Sequence, residues 1–359
     1  MSKVLGIIAE YNPFHNGHLL HLEKSKKICD AQYSVCVMSG NFVQRGNTSI
    51  VNKWIRAEMA LKSGVDLVLE LPTVYSISSA ENFAEGAIKL LNSLKIVDTI
   101  SFGSENSDIN VLNRISSVLH EEPKQYLEFL NSESKKGLSF PKARENAILL
   151  YLNDKKYLNI LNQPNNTLAI EYLKALKKYK SHISPISVKR EKVFYNSNCI
   201  VDEYASATAI RNMIINEQFN DIRKVVPASS YNLLMNEIEE GHLVIDISKF
   251  EKEILYAIRR LSADDIKNFP EVTEGLENAI KNASNSCNNL SELINMIKSK
   301  RYTHTRIQRI LLYILLNITK KDMYLSRKNI PYARILGYSP QGKELISEIY
   351  KANPKITLI

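Results

Sequence analysis

A chain of 359 residues, 44% hydrophobic and 24% charged, has room for two globular domains and is neither disordered nor fibrous in composition. Its 47 basic against 38 acidic side chains leave a net charge of +9, which suits a polyanionic partner without requiring one. Four scattered cysteines (Cys29, Cys36, Cys199 and Cys287) form no CxxC pair, which speaks against a zinc ribbon or a disulfide framework.

The first strand is expected over Val4 to Ala9, an apolar run that does not read as part of a secretory leader. Asn12-Pro13 ends it, because proline donates nothing to a ladder and pushes its predecessor away from helical geometry. A helix follows from Asn16 to about Ile28, with Leu19, Leu20, Leu22 and Ile28 as its apolar contacts, and Cys29 and Cys36 read as small core residues. Tyr33 to Met38 and Asp66 to Leu71 are the next strands. The helix Lys53 to Ser63 lies between them, its Trp54 expected against the sheet. Ala80 to Leu94 reads as a helix and Thr99 to Phe102 as a strand ending at Gly103. This βαβα order implies a parallel, doubly wound sheet with right-handed crossovers. Such sheets bind ligands outside the carboxyl ends of their strands, which draws attention to loops 10–18, 39–52, 72–80 and 103–105.

Residues 105–160 read as a polar, mostly helical insertion broken at Pro123 and Pro141, with nothing catalytic in it. The sheet returns with a helix from Thr167 to Tyr179 and a strand from Ile186 to Arg190. Asn165 is placed to cap that helix, and Arg190 either projects at the ligand edge or is a surface arginine beside Lys189. Ser206-Ala207-Thr208-Ala209-Ile210-Arg211 is a hydroxyl-rich helix start with a cation one turn in, a combination that suits a triphosphate.

Beyond Pro227 the pattern is helical with no alternating strands, giving domains 1–226 and 227–359. Phe250 to Leu261 and Leu290 to Ile297 are helices, and the polar stretch Asn278 to Asn289 reads as a loop or frayed helix. The best-patterned helix is Tyr302 to Ile318. Ile307, Ile310, Leu311, Ile314, Leu315 and Ile318 form its buried stripe, too short to span a bilayer. Tyr302, Arg306, Arg309 and Tyr313 fall on the opposite face, next to Lys298, Lys300 and Arg301. Aromatics interleaved with arginines fit RNA, although a solvated helix face has the same composition. Lys320, Lys321, Arg327, Lys328 and Arg334 extend the basic character, and a second basic cluster runs from Lys174 to Lys192.

The chemistry is concentrated where the first strand meets its helix. His15 and His18 bracket Asn16-Gly17 at a helix start, which attracts anions, and a glycine there lets backbone approach a ligand. Imidazoles so placed can donate to a phosphate and stabilise charge that builds as an α-phosphorus is attacked. A zinc pair is disfavoured, since nothing nearby supplies two further ligands. HxGH directly after a first strand resembles the nucleotidyltransferase superfamily. Longer strings narrow the likeness: AEYNPFHNGH (9–18), SGNFVQRG (39–46), KWIRAEMAL (53–61), DLVLELP (66–72), SFGSE (101–105), PNNTLAIEYLKAL (164–176), SATAIR (206–211) and YTHTRIQR (302–309). Together they resemble the tRNA(Met) cytidine acetate ligase family over almost the whole chain.

The resemblance implies an α/β fold: a Rossmann-like, doubly wound parallel sheet of the HxGH nucleotidyltransferase type, followed by a mainly α-helical C-terminal domain. It implies a cytoplasmic enzyme that activates acetate with ATP as acetyl-adenylate. The acetyl group then passes to N4 of the wobble cytidine of elongator tRNA(Met), with no membrane or protein partner. His15 and His18 are then catalytic. ATP is contacted by Ile7, Ile8, Ala9, Glu10, Tyr11, Asn12, Pro13, Phe14, His15, Asn16, Gly17, His18, Leu19, Leu20, Gly103, Asn165, Arg190, Ser206, Thr208 and Arg211. Arg301, Tyr302, Arg306 and Arg309 meet the tRNA. Mg2+ is expected with the triphosphate, with Glu10 and Asp66 as candidate ligands but no constellation to fix them. Arg45 and Lys53 receive no individual step, and Asn196, after Tyr195, stands where the family pattern leads one to expect histidine. Two readings compete. A small-molecule adenylyltransferase has no evident use for the basic helical third, and an RNA-binding factor with a relic nucleotide site needs neither both histidines nor SATAIR.

Overall fold

A computed structural model describes residues 2–190, 203–299, 302–328 and 332–359. Lys192, Tyr195, Asn196, Cys199, Lys300 and Arg301 lie outside the described residues.

Six strands form the main sheet: β1 (Lys3–Ala9), β2 (Ala31–Ser39), β5 (Leu67–Leu71), β6 (Thr99–Ser104), β7 (Ser184–Lys189) and β8 (Arg334–Tyr338). The two short strands β3 (Phe42–Val43) and β4 (Asn47–Thr48) pair as a separate hairpin just after β2. The sheet order is β7-β6-β1-β2-β5-β8, with every pair parallel except β5 with β8. Successive residues point to opposite faces, so each central strand feeds two cores. Val4, Val35 and Leu67 join helices Ala80–Leu94, Ile109–Glu121 and Pro164–Lys178 on one side. Leu5, Cys36 and Val68 join helices Asn16–Cys29, Lys53–Lys62 and Ala207–Ile215 on the other. The sheet is therefore doubly wound, as the alternation of elements implies. Its chain direction reverses on either side of β1, which puts the switch point, and the ligand crevice, at the carboxyl ends of β1 and β6.

Several expectations change. The segment after 227 is not free of strands: β8 runs antiparallel to β5 at the sheet edge, and helix Pro340–Ala352 packs its Leu345 and Ile349 into the first core. Helix Ala228–Glu239 likewise sends Leu234 into the second core. A third core belongs to the helices between 247 and 318, and takes in Ile77 from the turn after β5. Asn278 to Asn289 is mostly an ordered helix, Leu276–Ser286, because Leu276, Ile280 and Ala283 fall on one buried face while its asparagines face out. Pro123 and Pro141 start helices rather than simply breaking them. Trp54 is 52% exposed, since helix Lys53–Lys62 buries Arg56, Ala57, Met59 and Ala60 and leaves position 54 outside. No helix among the described residues is long and apolar enough to cross a membrane.

Candidate active site

The corner between β1 and its helix is built by the two histidines themselves. His15 is the N-cap, in extended geometry, and its Nδ1 accepts the Gly17 amide at 3.1 Å. The backbone N–H of His15 in turn donates to His18 Nδ1 at 3.3 Å, so the pair forms a reciprocal capping box with imidazoles in place of the usual hydroxyl and carboxylate. Their rings stack at 3.6 Å, 24° from parallel. A ring nitrogen that accepts a backbone hydrogen carries no proton, so each neutral ring bears its hydrogen on Nε2. Burial holds His15 down at about 3, helped by the charges of Arg190 and Arg211, and lowers His18 well below its usual value with help from His15 and Arg190. The expectation of free helix-start amides is thus modified. The Gly17 amide is engaged, and the donors this corner offers a ligand are imidazole N–H groups.

Tyr11, at φ 48°, and the cis Asn12-Pro13 peptide carry the chain around this turn. Asn12 Oδ1 accepts the Ile50 amide at 2.8 Å, tying the turn to the loop after β4. Below lies Arg56, fully buried, whose guanidinium donates to the carbonyls of Glu10 (2.5 Å), Ser39 (3.0 Å), Val51 (3.3 Å) and Gly40. It gathers the carboxyl ends of β1 and β2 under the cleft.

Above the strand ends opens a cleft of about 1230 Å³. It is lined by Ile7, Ile8, Ala9, Glu10, Tyr11, Asn12, His15, Gly17, His18, Leu20, Gly103, Asn165, Arg190, Ser206, Thr208 and Arg211, which the structure brings together from five separate stretches. Pro13, Phe14, Asn16 and Leu19 do not line it. Phe14 is buried beneath, Leu19 packs on the second core, and Asn16 Nδ2 donates to the carbonyls of Glu203 and Lys224. Arg211 Nη1 donates to the Asn12 carbonyl at 2.8 Å and Nη2 to Thr208 Oγ1 at 3.0 Å, while Ser206 caps its helix by accepting the Ala209 amide. Arg190 Nη1 donates to Asn165 Oδ1 at 3.2 Å, and its stem lies across the face of Gly103, where a Cβ would come within 3.0 Å of it.

Asn165 does not cap its helix. The N-cap is Gln163, and the first-turn amides of Asn165 and Asn166 are taken by the Glu105 carboxylate at 3.3 and 2.8 Å. That helix start is therefore closed to an anion, and the Asn165 side chain bridges two groups, donating from Nδ2 to Glu105 at 2.7 Å and accepting from Arg190 at Oδ1.

Other cleft residues carried no signal in the sequence. His21, one turn beyond His18, is also held neutral by burial, at about 4, and shares a hydrogen at 3.0 Å with Ser101 Oγ. Tyr172 packs against Phe102 at 5.8 Å on the β6 side. Phe140, Pro141 and Arg144 bring the supposedly inert insertion to the cleft. His304, Thr305 and Gln308 bring the helical region to it.

The cationic candidates fare differently. Lys53 pairs with Glu70 at 2.7 Å, which also meets Arg334 at 3.4 Å, so Lys53 is committed to the fold. Of the second basic cluster, Lys174, Lys177 and Lys178 tie their helix to Glu81, Asn113 and Glu85, while Lys189 is exposed and lines the cleft. In helix His304–Leu315 the supposed outer face is partly an inner one. Tyr313 is fully buried with its hydroxyl donating to the Ile77 carbonyl at 2.9 Å, and Arg309 forms a two-pronged pair with Glu271 at 2.6 and 2.9 Å. Arg306 donates to the Glu271 carbonyl at 2.7 Å and lies over the Tyr302 ring at 5.1 Å. None of these three lines the cleft.

For a divalent metal the cleft offers Glu10, one of whose oxygens accepts the Gln44 amide at 2.9 Å. Asp66 precedes β5, at the amino end of the sheet, and its carboxylate is occupied by Lys26, Ser34 and Ser339. Its candidacy as a ligand ends there. Among the described residues the only cluster with ligand spacing is Glu237, Glu240 and His242, largely exposed and outside the cleft.

The profile of the HIGH Nucleotidyl Transferase family matches residues 2–359. A tRNA(Met) cytidine acetate ligase of Caldanaerobacter subterraneus subsp. tengcongensis is 48% identical over 349 residues, 97% of this chain and 86% of the relative. One from Thermoanaerobacter sp. strain X514 is 46% identical over 98% of this chain and 87% of its own length. The crystal structure of Thermotoga maritima TmcAL bound with alpha-thio ATP superposes with a TM-score of 0.92 at 35% identity, over 99% of this chain and 85% of that one.

Proposed function

The chain belongs to the tRNA(Met) cytidine acetate ligases, a branch of the HIGH nucleotidyl transferases, and on that premise we propose how its cleft activates and transfers an acetyl group. It is an ATP-dependent acetate ligase whose polyanionic substrate is tRNA(Met), in keeping with a net charge of +9. The observation that carries the mechanism is the stacked, neutral pair His15–His18 at the carboxyl end of β1, on the switch point and beside Arg190 and Arg211.

ATP lies across the β1–β6–β7 half of the crevice. Arg190 and Arg211 supply charge to the triphosphate, and Ser206 fixes the helix that carries Arg211. An acetate oxygen attacks the α-phosphorus, the bond to the bridging oxygen breaks, and pyrophosphate leaves with that electron pair. The Nε2–H groups of His15 and His18 donate to the phosphate oxygens on which charge accumulates, and these bonds strengthen in the transition state. No enzyme nucleophile is needed, because acetate and the tRNA supply both. The wobble cytidine of the elongator tRNA then enters unstacked and takes the acetyl group on N4, releasing AMP.

Mg2+ would accompany the triphosphate, held mainly by phosphate oxygens and water, with Glu10 as the carboxylate within the cleft. No step here runs through it. In this reading residues 1–226 carry activation and the helices of 227–359 carry the tRNA. Tyr302 and Arg306 remain candidates at the surface, while Arg309 serves the fold.

The test is acetate-dependent exchange of labelled pyrophosphate into ATP without tRNA, followed by transfer of labelled acetate to the tRNA(Met) transcript. Exchange that requires acetate, and labelling of cytidine with release of AMP, support the reading. Efficient labelling from acetyl-coenzyme A without ATP overturns it.

A further inference from the structure

The cleft extends from the carboxyl ends of β6 and β7 past β1 and over the carboxyl end of β2. There its wall is the β3–β4 hairpin together with the first turns of helix His304–Leu315. The two pieces are in close contact. Gly46, at φ 76°, lies so near the helix that a Cβ would come within 2.5 Å of the Arg309 backbone nitrogen and 2.9 Å of Gln308 Cβ. The helix is fixed from behind by the Arg309–Glu271 pair and by the Tyr313 hydroxyl on the Ile77 carbonyl. Gln308 and His304 therefore project into the cleft from a rigid support, and their side-chain polar groups have no hydrogen-bond partner among the described residues. A half-buried amide left unsatisfied at a cleft wall is expected to meet a ligand or water.

We propose that Gln308, assisted by His304, forms the subsite for the acceptor cytosine. The proposal rests on the acetate-ligase reading above and adds which residues receive the base. Cytosine presents acceptors at O2 and N3 beside its exocyclic amine. The Gln308 NH2 donates to these acceptors, which orients the ring and leaves the amine unpaired, turned towards the adenylate. There the N4–carbon bond forms as the acyl carbon–oxygen bond breaks. AMP leaves with the electron pair, and one amine proton passes to water at the open rim. Uracil, with a donor at N3 and no amine, cannot match this pattern.

The test uses the full-length protein and three measurements on Gln308→Ala, Gln308→Glu and His304→Ala: acetate-dependent pyrophosphate exchange without tRNA, single-turnover transfer to tRNA(Met), and tRNA binding. Gln308→Ala is expected to slow transfer about tenfold, the loss of one well-made hydrogen bond in a closed site, with exchange within about twofold and tRNA affinity within about threefold of the parent. Gln308→Glu, which cannot donate, should be slower still, and His304→Ala intermediate. Transfer within twofold of the parent in both Gln308 variants overturns the proposal. So does a parallel fall in exchange, which assigns the residue to activation instead. A parent protein that shows no exchange at all defeats the acetate-ligase reading, and it does so before any substitution is made.

Discussion

Replacing Arg56 tests whether the ligand edge of the sheet is held by one side chain. The guanidinium is 0% exposed and donates to four carbonyls, of which Val51 also accepts the Ser49 hydroxyl at 2.8 Å. Arg56→Met thus leaves up to three carbonyls, those of Glu10, Ser39 and Gly40, without this donor. Each orphaned buried acceptor costs roughly 1–3 kcal/mol. Relief of the buried charge offsets part of this. Burial pulls the arginine down to about 10 despite the nearby Glu10 and Glu70, a sign that its desolvation is not fully compensated. The net expectation is a loss of about 3–5 kcal/mol. At about 2 °C per kcal/mol for a chain of this size, the melting temperature falls by roughly 6–10 °C. Arg56→Lys keeps the charge but is a point donor that reaches fewer carbonyls, so it should recover less than half. Thermal unfolding and urea titration read the stability, and acetate-dependent exchange reads the site, where the KM for ATP should rise as the β1 and β2 ends loosen. A melting temperature within 2 °C of the parent, with normal exchange, would refute the idea of a staple.

Three further outcomes follow from the same geometry. His15→Ala or His18→Ala should depress pyrophosphate exchange by about 10²–10³-fold, as loss of an oxyanion donor does, while calorimetric ATP affinity changes far less; equal losses in both would reassign the pair to binding. Since the folded value for His15 lies below the unfolded one, its contribution to stability is intact above pH 6.5 and declines by about 1.4 kcal/mol per pH unit as pH falls towards 3. Nitrogen NMR of the free enzyme should accordingly show the neutral Nε2–H form of His15 and His18, and a neutral ring at His21, from pH 8 to 5.5, and an imidazolium signal in that range would contradict it. Arg309→Ala should cost about 3–5 kcal/mol by stranding Glu271, whereas Arg306→Glu should weaken tRNA binding and flatten its salt dependence; a reversed pattern would restore Arg309 to the RNA face.

What could be read from the chain was what is local in it. HxGH, its proline turn and the SATAIR cap are each set within a few residues, and the structure places them in one cleft. The features that escaped depend on distant partners. Arg309 and Tyr313 look like an outer face because nothing in their own helix reveals Glu271, 38 positions back, or the Ile77 carbonyl. Arg56 sits in a stretch of mixed polarity whose periodicity fits an amphipathic helix with arginine outside, yet four carbonyls from other segments draw it in. β8 is five residues long and lies at a sheet edge, too brief to show a period of two among helices. Asn165 resembles a cap by position, but Glu105 reaches the helix start first.

Under the proposed mechanism, neutral histidines and charged arginines have separate tasks. In the mechanism proposed above, Arg190 and Arg211 attract the triphosphate, so a cationic imidazole would add attraction to bound ATP as much as to the transition state, and uniform binding does not raise turnover. A neutral ring whose Nδ1 is fixed by a backbone amide contributes one oriented Nε2–H, which strengthens only where negative charge grows. Each histidine uses its other nitrogen to cap the helix that carries it, so the orientation of the donor and the start of the helix are one structure. Exchanging either histidine for asparagine or glutamine therefore separates the two roles. Asparagine at 15 can retain a cap while shortening the reach of the donor, and it should keep the melting temperature while losing exchange.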